Sequence, residues 1–110
     1  MTDILLVFST FPDLDKARQT GTMLVDSQLA ACVNLCPPIE SIYRWKGTIE
    51  TSTEVLAIFK TTVQAYPAFE KRLTELHPYE VPEIIALPAE KAAEAYACWV
   101  TDEVKSTAVS

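Results

Sequence analysis

The run Glu54-Val55-Leu56-Ala57-Ile58-Phe59-Lys60-Thr61-Thr62 sets the tightest limit on how this chain folds. In an extended strand successive side chains point to opposite faces, so Glu54, Leu56, Ile58 and Lys60 line one side and Val55, Ala57 and Phe59 the other. Both sides are apolar at their centres. A strand in a small antiparallel sheet with helices on one face alternates cleanly between apolar and polar; this one does not, and so needs cover on both faces. The chain has 110 residues, 49% of them hydrophobic. That suits one packed domain over residues 1–110, but leaves little material for a second covering layer. The expectation is that another subunit supplies it.

The other segments fall around this strand. Ile4 to Phe8 is a continuous apolar run of strand length, as in a strand buried on both faces. Phe11-Pro12-Asp13 makes a turn into a helix, with Asp13 placed against the helix dipole, and Leu14, Ala17, Gly21, Leu24, Val25 and Gln28 recur at helical spacing up to Ala30. A second strand starts at Ala31, with Val33 and Leu35 on one face and Cys32, Asn34 and Cys36 on the other. Pro37-Pro38 interrupts its hydrogen-bonding ladder, and it resumes from Ile39 to Lys46, so the spacing predicts one long strand bent at the prolines. Gly47 marks a hairpin turn. Tyr66, Phe69, Leu73 and Leu76 form the stripe of a second helix. A fourth strand is expected over 81–87 and a third helix over 89–104, with 105–110 a frayed tail. The order is that of an α+β, ferredoxin-like βαββαβ sandwich with an added C-terminal helix.

Composition removes several functions. The net charge is −6, the wrong sign for nucleic acid, whose phosphates need clustered Lys and Arg. No apolar run approaches the ~20 residues of a membrane span, and Met1-Thr2-Asp3-Ile4 lacks the basic region of a signal peptide; the expected location is cytoplasmic. With 2 glycines there is no phosphate-cradling loop. The 3 cysteines, Cys32, Cys36 and Cys98, are an odd and widely spaced set, unlike a disulfide framework. No catalytic constellation is visible, and an enzyme is not expected.

His77-Pro78-Tyr79-Glu80-Val81-Pro82-Glu83-Ile84 holds the chain's single histidine. Pro78 keeps His77, and Pro82 keeps Val81, out of the helical region. The stretch is therefore a stiff connector between the second helix and the fourth strand. It delivers His77, Tyr79 and Glu83 with little conformational freedom, which suits either a binding site or the entry to an inner strand.

Taken together, Ala31-Cys32-Val33-Asn34, Tyr43-Arg44-Trp45-Lys46-Gly47, Glu54-Val55 with Ile58-Phe59-Lys60-Thr61, and the His77–Ile84 stretch resemble, in order and spacing, the CutA divalent-cation tolerance family. Ser9 to Asp13 and Tyr96 with Trp99 fit as well, and the resemblance covers roughly residues 3 to 104. It implies the ferredoxin-like subunit, a compact homotrimer like that of the PII signal proteins, and an association with tolerance to copper and other divalent ions. Some family members carry a cysteine where this chain has Ser9, which weakens any thiol-based copper site there.

Within that frame His77 is the first candidate metal ligand, since a neutral imidazole suits copper and zinc; it reads equally well as a group capping its own helix end. Glu54, Glu80 and Glu83 are candidate carboxylate partners, and Cys32 is a further candidate ligand that also reads as a small buried hydrophobe. Trp45, Lys60, Tyr79 and Glu83 form a second set, the lining of a cleft between subunits for a small organic ligand or a protein partner. Lys60 reads alternatively as paired with Glu54 or Glu83, and Tyr43 and Trp45 as core or interface aromatics.

Overall fold

The structure is a computed structural model that describes residues 2–105. It contains β1 (Ile4–Phe11), α1 (Leu14–Asp26), β2 (Cys32–Leu35), β3 (Ile39–Trp45), β4 (Thr48–Thr62), α2 (Tyr66–Leu76), β5 (Ile85–Pro88) and α3 (Glu94–Glu103). One antiparallel sheet runs in the order β2-β4-β1-β5, and β3 also pairs with β4. The two strands read as fully apolar, β1 and β4, are the central ones. This is the expected ferredoxin-like arrangement with a C-terminal helix.

The long second strand of the sequence reading is two strands, β2 and β3, separated at Cys36-Pro37-Pro38. Neither proline has an N–H to donate. Both halves nevertheless pair with β4, which is 15 residues long: Cys32 lies opposite Lys60, and Ile39 opposite Glu54. β3 and the first half of β4 therefore form a two-stranded arm beyond the main sheet. The arm turns at Lys46 and Gly47, both with positive φ (50° and 83°), the pairing of a type I′ turn.

Helix boundaries are shorter than the periodicity suggested. α1 opens on Asp13, whose carboxylate accepts the Lys16 N–H at 2.8 Å, and ends at Asp26 because Gln28 takes a left-handed conformation (φ 62°). α2 ends at His77, whose backbone is extended, as expected of a residue before proline. β5 begins at Ile85 rather than Val81, since residues 81–84 make no ladder pair. Residues 89–93 precede α3 in neither helix nor strand, and the Ala89 N–H donates to Ile4 O at 2.9 Å. Of the tail read as frayed, Lys105 donates its N–H to Gln28 O at 2.7 Å; residues 106–110 lie outside the described residues.

The core sits between α1, α2 and one face of the sheet: Val7, Phe11, Val55, Ala57 and Phe59 meet Ala17, Leu24, Phe69 and Leu73. Phe59 and Phe69 pack edge to face at 5.1 Å, a favoured aromatic geometry. Gly21 lets α1 approach β2, since a Cβ there would lie 3.0 Å from Val33 Cγ1. A smaller cluster of Ile4, Ala31, Ala65, Val100 and Val104 anchors α3 at one end of the sheet. The opposite sheet face is built in rungs: Leu87, Leu6, Lys60 and Cys32, then Ile85, Phe8, Ile58 and Asn34. Its central side chains are only half-buried, and Ile85 and Leu87 are 52% and 48% exposed.

Candidate functional site

Where the two-stranded arm leaves the sheet, the proline-stiffened connector folds across its base. The space between them is a groove of about 780 Å³, within the size range of small-molecule sites. Ser41, Tyr43 and Trp45 of β3 and Ser52 and Glu54 of β4 line it from the arm, and Tyr79, Glu80 and Glu83 from the connector. Three carboxylates and three aromatic rings thus face one space, and no lysine or arginine is among the described residues that line it.

His77 holds the connector in place. Its Nδ1 accepts the Tyr79 N–H at 3.1 Å, so the ring proton sits on Nε2, which donates to Thr10 O at 2.9 Å. The imidazole stacks on Phe11 at 4.4 Å and is 7% exposed. Burial lowers its pKa below the ordinary histidine value, against the opposing pull of the Thr10 carbonyl and the Glu54 charge. A neutral imidazole with both nitrogens engaged is a structural tie between β1 and the connector. It becomes a metal ligand only by giving up one of these hydrogen bonds.

Tyr79, positioned by that tie, donates its hydroxyl to Glu54 Oε2 at 2.7 Å. Glu54 is 8% exposed. Burial, with the Glu54 hydrogen bond and charge behind it, raises the Tyr79 pKa far above the ordinary phenol value. The phenol therefore stays a hydrogen-bond donor at any physiological pH.

The residues singled out from the sequence divide into two places. Trp45, Tyr79, Glu83 and Glu54 meet at the groove, with His77 directly behind it. Cys32 and Lys60 sit opposite each other at the far end of the open sheet face, six strand residues from Glu54, or roughly 20 Å. The Lys60 ammonium bonds Asn34, not Glu54 or Glu83, and Cys32 Sγ lies 3.5 Å from the Tyr96 hydroxyl. That contact, ahead of burial, raises the Tyr96 pKa. Thr10, Phe11 and Asn34 have roles that residue type alone did not signal; each follows from register across strands. The proposed ligands do not fit a metal centre within one chain. His77 has no free nitrogen, Cys32 is remote, and no three His, Cys, Asp or Glu side chains among the described residues converge on a common ion position.

Fold and groove together define a ferredoxin-like α+β sandwich that carries an acidic, aromatic-walled groove at the root of a long hairpin. A model of the family described as CutA1 divalent ion tolerance protein matches residues 5–103, and the chain belongs to that family. A divalent-cation tolerance protein CutA of Thermus thermophilus is 41% identical over 102 residues, 93% of this chain and 97% of that one. The human protein CutA is 44% identical over 103 residues, 94% of this chain but 58% of its own length. Among solved structures, CutA from Xylella fastidiosa superposes with a TM-score of 0.92 at 40% identity, covering 94% of this chain and 100% of that one. CutA1 from Shewanella sp. SIB1 gives 0.91 at 42% identity, covering 96% and 98%. No helix among the described residues is long and apolar enough to cross a membrane.

Proposed function

We propose that the chain acts in the cytoplasm as a homotrimer that binds divalent cations, copper first among them, and so contributes to metal tolerance without catalysing a reaction. The observation that carries this reading is the open sheet face. Leu6, Phe8, Leu56 and Ile58 form an apolar strip that half-exposed Ile85 and Leu87 extend, and it ends at the acidic groove. A contiguous exposed apolar surface is the mark of an interface. Because no three donors gather among the described residues of one chain, the cation is held where a second copy adds its own to Glu80 and Glu83, with His77 and Glu54 recruited only if their internal hydrogen bonds open.

Light scattering on the purified protein tests the assembly: a monomer at micromolar concentration defeats it. Calorimetric titration with Cu(II) tests the site. Saturable binding is expected, and a protein that takes up no Cu(II) contradicts the reading. If His77→Ala loses the binding, the imidazole is a ligand; if it binds as the parent does, the carboxylates are the site.

The groove favours a second reading, a PII-like sensor or adaptor that takes a small organic ligand or a protein partner between Trp45, Tyr79 and Glu83. Lys60, included in that set by the sequence, stands apart from it. A thermal-shift screen of metabolites separates the readings, with Trp45→Ala as the control. Shifts by metals alone argue against this one.

A further inference from the structure

We infer that the polar corner of the open sheet face, built by Lys60 and Asn34, binds a small oxyanion of the phosphate class, which is enclosed when that face meets its copies. The enclosure rests on the assembly reading; the contact with the anion does not.

The starting point is a charge without a counter-charge. Of the 9 lysines and arginines, Lys60 alone is half-buried, and the others are exposed. It lies on the open face between Leu6 of β1 and Cys32 of β2. The ion pairs among the described residues are Arg18–Asp15, Lys71–Glu75 and Arg72–Glu75, and none includes Lys60. Its ammonium bonds the side-chain oxygen of Asn34, a neutral acceptor that takes up one of its three N–H groups. Glu54, the carboxylate on the same side of β4, is held by Tyr79 and lies roughly 20 Å away.

Assembly makes the deficit larger. Covering the face takes an ammonium out of water, which is costly unless a counter-charge comes with it. A second copy presenting the same face brings Leu6, Phe8 and Ile58 again, together with another Lys60, because β1, β2 and β5 contain no acidic residue. An anion from solution is then the missing partner. The groups at the corner suit it. With its oxygen bonded to Lys60, Asn34 keeps two N–H donors. Beside them the Tyr96 hydroxyl, 3.5 Å from Cys32 Sγ, keeps its proton, since that contact raises its pKa. Ammonium, amide and phenol all donate, and charged oxygens accept stronger hydrogen bonds than neutral ones.

A ³¹P NMR titration of the purified protein with inorganic phosphate tests the contact, and light scattering on the same samples tests the assembly. Saturable binding is expected. With a net charge of −6 the chain as a whole repels anions, so saturation reports a local site. Lys60→Met, which keeps the side chain's length and drops its charge, should lose at least roughly tenfold in affinity, and Asn34→Ala about threefold. Lys91→Met removes the same charge from an exposed position and should bind as the parent does. In phosphate-free buffer Lys60→Met should assemble at least as well as the parent, since no charge is then buried. Absence of saturable binding, unchanged binding by Lys60→Met, or equal weakening by Lys91→Met overturns the anion site. So does a Lys60→Met protein that separates into folded monomers, which would show the ammonium paired with a carboxylate of the second copy. A parent that is monomeric yet binds phosphate through Lys60 keeps the site and ends the assembly reading; a trimer that binds no phosphate does the reverse.

Discussion

Side chains one residue apart on β1 and β4 live in different surroundings. Val7, Ala57 and Phe59, facing α1 and α2, have no exposed surface. Phe8 and Ile58, equally apolar and directly paired across the strands, face away from those helices and remain half-buried. The same strands thus present one finished face and one unfinished face. Hydrophobicity alone does not distinguish them; what differs is whether 110 residues supply a covering layer.

The largest effect that bears on this difference comes from paired truncations. Phe59→Ala should cost about 3–5 kcal/mol, the usual result of emptying a packed aromatic site, whatever the protein concentration. Ile58→Ala should cost less in an isolated chain, because part of its surface already meets water. If a second copy covers that face, its cost rises and the melting temperature becomes concentration-dependent. Denaturation of both variants at two protein concentrations measures the contrast. Equal, concentration-independent losses would erase the distinction between the faces.

Much of this architecture was legible because it rests on local pattern. The uninterrupted apolar runs placed β1 and β4 at the centre, and Pro78 placed the end of α2. The unfinished face was readable from Leu56 and Ile58 for the same reason. The sequence did not show what Lys60 and Cys32 would meet. Their partners, Asn34 and Tyr96, follow from register between strands and from where α3 lies. Periodicity carries no such information. The His77 site was half legible. Its stiffness and its neighbour Tyr79 were visible, whereas the Thr10 carbonyl and the Phe11 ring that fix its tautomer and burial are 67 and 66 positions earlier in the chain. Thr10 and Phe11 reach it only because β1 ends beside the connector.

The groove sharpens the comparison at its boundary, where the open face ends in a polar pair: a carboxylate nearly closed off from water and a half-buried phenol. Tyr79→Phe keeps the ring and removes the donor to Glu54. The carboxylate, 8% exposed, then lacks that hydrogen bond, a loss on the order of 1–3 kcal/mol. Tyr79→Phe combined with Glu54→Leu should recover part of it, since removing both polar partners leaves nothing unpaired. Urea denaturation of the two variants checks this. A single variant as stable as the parent would mean that water reaches Glu54 freely and that the groove's root is not closed.

Acid should act on the same boundary through His77. Its folded pKa lies below the unfolded value of about 6.5, so the fold binds fewer protons than the unfolded chain. The resulting stability is complete above that value and is lost as pH falls through it toward the lower folded value. Protonation also places a hydrogen on Nδ1, facing the Tyr79 N–H. Melting temperatures from pH 7.5 downward should fall more steeply for the parent than for His77→Gln, which starts lower because it loses the Phe11 stack. Parallel curves would show that the imidazole titrates as freely in the fold as out of it.

The smallest expected effect lies on the finished face and asks how finished it is. Ser9 sits on β1 between Phe8 and Thr10, opposite Ala57, with no exposed surface. Its Oγ has no hydrogen-bond partner among the described residues. A buried hydroxyl without a partner costs on the order of 1–3 kcal/mol, and removing a single oxygen leaves only a small void, so the two terms oppose each other unequally. Ser9→Ala should therefore raise stability by about 1 kcal/mol, a gain of several degrees in melting temperature for a domain of this size. The result discriminates in both directions. A gain identifies the finished face as apolar by design with one unsatisfied group. A loss means that the hydroxyl is satisfied after all, by water admitted into the layer between sheet and helices, and the contrast between the two faces is then one of degree.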